Sequence, residues 1–393
     1  MHATRYLIVG GGLTGDAACR GVRDVDTDGA ITLVGEEKHA PYARPPLSKG
    51  LWKGDSEKVI WRETAELGVD LQLGRRIVAL DPARREAQDD EGETYRYEKV
   101  LLATGGRPRQ LPFDGDDVVY FRTLDDYRHL RALAAPGARI CVIGGGFIGS
   151  EVAAALALNG CSVTMIFPEP GIGARIFPPS VSAALNDYYR ERGVQVLTGA
   201  SATQIEQHGA GTRIMLGYGR PLDADVVVAG VGIEPNVELA AAAGLPVGNG
   251  IVVDAFGRVG GRHDVFAAGD VARFPVPALA TELRVEHEDH AKSHGRRVGA
   301  NMAGAVEAYD HLPFFYSDLF DLGYEAVGRL DSRLETLADG DGLTEPSTIY
   351  YLDRERRPQG ILLWNLFGRL DAARDLIRAR VPVERGAMGA LVP

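Results

Sequence analysis

The sequence predicts an α/β protein: two Rossmann-like dinucleotide-binding domains followed by a smaller C-terminal α+β domain. Three observations carry this. The triplet Gly10, Gly12, Gly15 recurs as Gly144, Gly146, Gly149; each triplet lies between a strand-like apolar run and a helix-like run; and 393 residues exceed what one hydrophobic core commonly supports. With 45% apolar residues the chain has ample material to bury.

In the first unit, Tyr6 to Val9 is an apolar run closing on Gly10-Gly11-Gly12-Leu13-Thr14-Gly15, and Asp16 to Val22 opens a helix. One glycine makes the tight turn, one admits a pyrophosphate and one lets the helix pack on the strand. Ala30 to Val34 forms the next strand and leads to Glu36, placed to accept hydrogen bonds from a ribose diol. In the second unit, Arg139 to Ile143 leads into Gly144-Gly145-Gly146-Phe147-Ile148-Gly149, a small-residue helix from Ser150 to Leu158 and a strand from Val163 to Phe167. Two dinucleotides are therefore expected, a bound flavin and an exchangeable nicotinamide, since hydride transfer requires both on one protein.

Between and after these units, Tyr97 to Leu102 closes on Ala103-Thr104-Gly105-Gly106 with Arg109 just beyond, and Asp225 to Gly232 repeats that form loosely. Asp264 to Ala268 ends in Gly269 and Asp270, a carboxylate suited to a sugar-alcohol hydroxyl or, through water, a pyrophosphate. In this order the segments resemble the FAD-dependent pyridine nucleotide-disulfide oxidoreductases, of glutathione reductase-like architecture. The resemblance implies FAD at the first glycine site and the Gly-Asp segment, and NAD(P)H at the middle glycines.

Charge and cysteine usage narrow the class. Forty-three Lys plus Arg against fifty-four Asp plus Glu, a net charge of -11, argues against affinity for nucleic acid or anionic lipid. The three cysteines, Cys19, Cys141 and Cys161, are not spaced as a redox dithiol, a zinc ribbon or a disulfide framework, and a reducing, cytoplasmic compartment fits them. The chain has no signal-peptide pattern and no apolar run of about 18 residues, so no membrane span is expected.

Where the disulfide reductases carry cysteine, this chain reads Pro41-Tyr42-Ala43-Arg44-Pro45-Pro46-Leu47-Ser48-Lys49. That stretch resembles the oxygenase-coupled ferredoxin reductases and the apoptosis-inducing factor group. The resemblance implies that Arg44 serves the FAD diphosphate as a planar fork donor, and that Lys49 lies beside the flavin ring, paired with Glu151. Phe167-Pro168-Glu169, the run Arg284-Val285-Glu286-His287-Glu288-Asp289-His290-Ala291 and Phe314-Phe315-Tyr316-Ser317-Asp318 resemble the apoptosis-inducing factor side, with Tyr316 replacing its tryptophan near the flavin. His287, with Glu286 nearby, is implied to pack at the nicotinamide or flavin edge.

His287, His290 and His294 fall at i, i+3 and i+7, a spacing that would put three imidazoles on one helix face, but a lone stripe lacks the second element that completes a zinc site. No metal is expected, and His290 and His294 are expected on the helix surface.

The expected mechanism places NADH at Gly144, Gly146 and Gly149, with Gly232 alongside and Glu169 taking the adenosine ribose. Phe147 covers the flavin until the nicotinamide displaces it, and hydride passes to flavin N5. A 2′-phosphate would meet Glu169 and find no fork partner until Arg175, which favours NADH over NADPH. With no dithiol in place, electrons leave the flavin directly for a ferredoxin-type protein, a quinone or oxygen. The contrasting expectation is a redox-sensing interaction protein with slow NADH oxidation and a persistent charge-transfer complex. The FAD-binding domain is expected at 1–112 and 236–312, the NAD(H)-binding domain at 113–235 and the α+β domain at 313–393, with Pro112 and Glu234-Pro235-Asn236 at the crossings. A homodimer is left open.

Overall fold

The computed structural model describes residues 2–113, 118–209, 211–340, 343–384 and Val392. The chain divides into two compact units. One comprises Met1–Arg44, Glu57–Arg107 and Glu234–Pro313; the other comprises Pro45–Ser56, Pro108–Ile233 and Phe314–Pro393. Residues 45–56 thus group with the second unit instead of the expected 1–112 segment, and the C-terminal segment shares that unit.

The first unit is built on His2–Val9, whose Tyr6, Leu7 and Ile8 are buried on both sides as a central parallel strand requires. It lies between Ile31–Gly35 and Thr94–Leu102, with Val9 opposite both Val34 and Leu102. Val69–Leu73 and Val265–Ala267 extend the parallel pairing, and Glu86–Asp89 and Ile77–Asp81 add antiparallel strands. Helix Leu13–Arg23 packs on helix Glu288–Ala303 at backbone distance. A Cβ at Gly21 would lie 1.9 Å from the Arg296 carbonyl oxygen, and one at Gly299 would lie 2.1 Å from that of Ala18, so only glycine permits the crossing. Asp16 on the first helix is fully buried, accepting from Thr64 Oγ1 at 2.8 Å, Arg62 Nε at 3.0 Å and Arg20 Nε at 3.1 Å.

His290 and His294 are not on the surface, as the sequence suggested, but 0% and 1% exposed. Their helix face turns inward onto Phe274, which stacks on His290 at 4.5 Å between ring centroids, and Tyr309 closes on His294 at 4.5 Å. His294 Nδ1 accepts the Gly269 amide proton at 3.3 Å. His287 precedes the helix in an extended conformation, so the three imidazoles do not share one helical stripe. Burial pushes His294 down to about 3 and His290 well below its ordinary range, keeping both neutral.

The second unit repeats the parallel design in the order Gln195–Thr198, Ser162–Phe167, Arg139–Ile143, Val226–Ala229, Val118–Tyr120. Helix Phe147–Leu158 follows the central strand, and Ala202–His208, Gly211–Leu216 and Leu222–Ala224 form a separate antiparallel sheet. The C-terminal portion is an antiparallel five-stranded sheet ordered Phe314–Leu319, Leu322–Gly328, Pro358–Trp364, Ser347–Leu352, Glu335–Asp339. Helix Leu370–Ala379 buries Ala373 and Ile377. Among the described residues, no helix is long and apolar enough to cross a membrane.

Two predictions follow from these buried polar groups. Asp16→Ala would strand Arg62 and Arg20 without their acceptor and cost about 2–4 kcal/mol, read as a lowered urea midpoint. His294 is neutral when folded, whereas the unfolded chain takes up its proton near 6.5. Its stabilising contribution is therefore complete above that pH and lost as pH falls toward 3. Wild type should lose about 1–2 kcal/mol per buried imidazole between about pH 6.5 and pH 5, and a urea-denaturation series should show a shallower acid limb in His294→Gln.

Candidate functional site

The two glycine turns have the same close contacts. In the first, Gly10 has φ +126° and a Cβ there would fall 2.1 Å from the Ala103 carbonyl oxygen; in the second, Gly144 has φ +118° and the corresponding clash is with Gly230 at 2.3 Å. Gly15 and Gly149 each sit where a Cβ would be 2.1 Å from the carbonyl of the turn's own first glycine. At Gly12 and Gly146 the opposite holds: a Cβ would meet nothing within 4 Å. These open positions stand at the start of helices Leu13–Arg23 and Phe147–Leu158, where unpaired amides and the helix dipole favour an anion. Both turns therefore fit a dinucleotide pyrophosphate.

In the first unit, Glu36 is exposed directly beyond strand Ile31–Gly35. Arg44 is held by Glu37 at 2.5 Å and donates to the Tyr42 hydroxyl at 3.0 Å; the sequence reading assigned neither partner. The Ala103-Thr104-Gly105 turn is tied by Thr104 Oγ1 donating to the Asn236 carbonyl at 2.8 Å and Asn236 Nδ2 donating to the Thr104 carbonyl at 2.9 Å. Around the Gly269–Val271 turn, the nearly buried Arg284 donates to the Asp270 carbonyl at 3.1 Å and pairs with Glu286 at 2.7 Å. Burial pushes His287 down to about 4, although Asp270 and Asp289 act the other way, so its imidazole is neutral. Asp270, Glu286 and His287 thus gather at one turn, with Arg284 as the bridge that sequence reasoning missed.

In the second unit, Lys49 Nζ lies 2.7 Å from Glu151 Oε2, with the two side chains 11% and 4% exposed. The same carboxylate accepts from Ser48 Oγ at 2.6 Å and Ser317 Oγ at 2.5 Å. Both serines lie inside segments quoted for their resemblance, yet an isolated serine carries no signal of what it will meet. Lys49 also stands 5.3 Å from the Tyr316 ring centroid, and Phe147, 37% exposed, packs edge-on against Phe315 at 5.2 Å. Arg109 donates its amide to the Gly232 carbonyl at 3.0 Å. Glu169, beyond strand Ser162–Phe167, is not free of arginine: Arg175 reaches back to it at 2.7 Å.

All three thiols are free and buried. Burial pushes Cys141 up to about 12 and raises Cys19 and Cys161 as well, so none is a nucleophilic thiolate that could carry electrons.

Residues 4–295 match the family model for pyridine nucleotide-disulphide oxidoreductases, and residues 298–339 match the C-terminal model of mitochondrion-associated apoptosis-inducing factor. The ferredoxin–NAD(+) reductase component of the anthranilate 1,2-dioxygenase system of Burkholderia cepacia is 37% identical over 96% of this chain and 95% of its own. Mitochondrial apoptosis-inducing factor 1 of Dictyostelium discoideum is 31% identical over 97% of this chain and 79% of its own. The fold superimposes on a covalent putidaredoxin reductase–putidaredoxin complex with a TM-score of 0.92, 31% identity, and coverage of 99% of this chain and 96% of that one. The chain belongs to the pyridine nucleotide-disulphide oxidoreductase family and is an FAD- and NADH-dependent oxidoreductase.

Proposed function

We propose that this chain is a ferredoxin reductase: it oxidises NADH and passes the electrons from its flavin directly to a ferredoxin-type protein. The observation that carries the reading is the buried Lys49–Glu151 pair in a chain whose thiols are all buried and protonated, which leaves no sulfur relay between flavin and acceptor. Relatives that span nearly the whole chain, one of them named as the ferredoxin–NAD(+) reductase component of a dioxygenase system, support the choice of acceptor. Bound FAD supplies the centre that takes up a hydride and releases electrons singly.

The protein's own residues do the rest. Segments 1–112 and 236–312 serve FAD: Gly10, Gly12 and Gly15 admit its pyrophosphate, Glu36 its ribose and Arg44 its diphosphate, with Ala103-Thr104-Gly105 and Gly269-Asp270 closing around it. Segment 113–235 serves NADH, with Gly144, Gly146 and Gly149 at the pyrophosphate, Gly232 beside it and Glu169 at the adenosine ribose, while Arg109 of the preceding segment holds the Gly232 carbonyl through its amide. Segment 313–393 brings Tyr316 to Lys49. Lys49, fixed by Glu151, presents a preorganised positive charge where negative charge develops on reduction. Phe147 keeps water from the reaction centre until the nicotinamide takes its place, and the family resemblance gives His287 and Glu286 the flavin or nicotinamide edge. We place the protein in the cytoplasm, where its free thiols match the reducing environment.

The match of residues 298–339 to the apoptosis-inducing factor C-terminal model favours a second reading, a redox sensor with slow turnover. Stopped-flow reduction with NADH, followed by reoxidation with ferredoxin or with air, separates the two. We expect ferredoxin to reoxidise the flavin within the range of ordinary turnover, about 1–10³ s⁻¹, whereas a long-wavelength charge-transfer band persisting for minutes with ferredoxin present would establish the sensor. Lys49→Met removes the ammonium while Ser48 and Ser317 still satisfy Glu151. It should slow flavin reduction by NADH about a hundredfold, measured as the decay of flavin absorbance under anaerobic mixing.

A further inference from the structure

Strand Thr94–Leu102, which runs on to Ala103 at the first glycine turn, carries Lys99 into a cleft that neither nucleotide site uses. The cleft measures about 470 Å³ and is lined by Arg85, Glu98, Lys99, His263 and Asp264. Lys99 is half-buried; its Nζ donates to the Met302 carbonyl near the end of helix Glu288–Ala303, and among the described residues it pairs with no carboxylate. An ammonium has three donors, so capping the helix end uses one and leaves two. Burial, and then the charges of Arg5 and Arg258, hold the Lys99 ammonium below its ordinary range, with Glu98 acting the other way.

The carboxylates of the cleft are already engaged. Glu98 lies 3.4 Å from Arg5 Nε, while Asp264 accepts from Arg85 Nε at 3.2 Å and from Arg262 through Nε and Nη2, both at 3.0 Å. His263 is exposed and makes no hydrogen bond or ion pair among the described residues. Asp264 is also the charge that acts most strongly on the Tyr97 hydroxyl, which is buried with no hydrogen-bond partner among the described residues. A buried hydroxyl ordinarily has an acceptor. Asp264 can be that acceptor once Arg85 turns away from it, because Arg262 still holds the carboxylate by two bonds. An ion pair made by a half-exposed arginine contributes little, so Arg85 turns at small cost.

We propose that this cleft binds a phosphate dianion, free or as the end of a small phosphomonoester, between the Lys99 ammonium and the Arg85 guanidinium. Lys99 supplies a point charge with two donors to spare, and Arg85 a planar fork, while Tyr97 donates to Asp264 in place of Arg85. The cleft falls within the size of small-molecule sites, about 300–1,000 Å³, which leaves room for an organic group on the phosphate.

Competitive acetylation tests this on the FAD-loaded wild-type protein, with NAD⁺ present to fill the second glycine turn. Limiting acetic anhydride is added with inorganic phosphate, with glucose 6-phosphate or with neither, at one ionic strength set with chloride, and mass spectrometry reads the acetylated fraction of each lysine. Phosphate should cut Lys99 labelling about tenfold relative to the other lysines, because an anion bonded to the ammonium keeps it protonated. Protection by inorganic phosphate alone supports a site for the free anion, and stronger protection by glucose 6-phosphate supports one for a monoester. Titration calorimetry with the better of the two should show binding that Arg85→Gln weakens about tenfold or more and Lys99→Gln removes. Lys99 labelling that phosphate and glucose 6-phosphate leave unchanged would overturn the proposal. So would equal protection of every lysine, or an affinity that Arg85→Gln does not alter.

Discussion

A carboxylate buried to 4% exposure has to be satisfied from several directions, and Glu151 organises the second unit on that condition. Its helix follows the second glycine turn, yet its three donors come from elsewhere: Ser48 and Lys49 from one short segment and Ser317 from the C-terminal sheet. Burial, and then the Glu151 charge, holds the phenols of Tyr189 and Tyr324 well above their ordinary value. The position of the Lys49 ammonium is thereby fixed by packing, which makes it usable as a preorganised charge. This also accounts for the grouping of residues 45–56 with the second unit, although the chain before and after them belongs to the first.

The glycine turns impose a complementary constraint, exerted by backbone instead of charge. Each begins with a residue whose Cβ would collide with a carbonyl of the neighbouring strand's loop, and each contains one residue whose Cβ would meet nothing. Close approach on one side and open space on the other make a cradle, and the two turns share it despite differing in every non-glycine residue of the motif. Helix packing in the first unit uses the same device at Gly21 and Gly299, so glycine serves the ligand turn and the helix crossing behind it alike.

Buried titratable groups divide by how they are kept. Asp16 keeps its place through three donors, whereas His290 and His294 are held neutral among aromatic rings. His290 and His294 also show the limit of a spacing argument: they were expected on the helix surface, but the helix face they share is the core face. His294 nevertheless supports the Gly269 turn directly, linking that core to the segment assigned to FAD.

The sequence by itself determined the two dinucleotide units, their strand–turn–helix order and the absence of a dithiol, while the pairing of Lys49 with Glu151 came from the resemblance of its segment to a known family. Glycine spacing and hydrophobic runs are local, and the remaining signals lay in motifs short enough to be legible as strings. Only the tertiary structure decided which side chains complete those motifs. Ser48 and Ser317 on Glu151 are set by where distant segments return, and Arg284 between Asp270 and Glu286, Glu37 on Arg44 and Arg175 on Glu169 by how irregular turns fold back on themselves. Burial of His290 and His294 is of the same kind, because the direction a helix turns depends on its neighbours and not on its own spacing. A polar group's partner is a property of three-dimensional proximity, and no local periodicity encodes it.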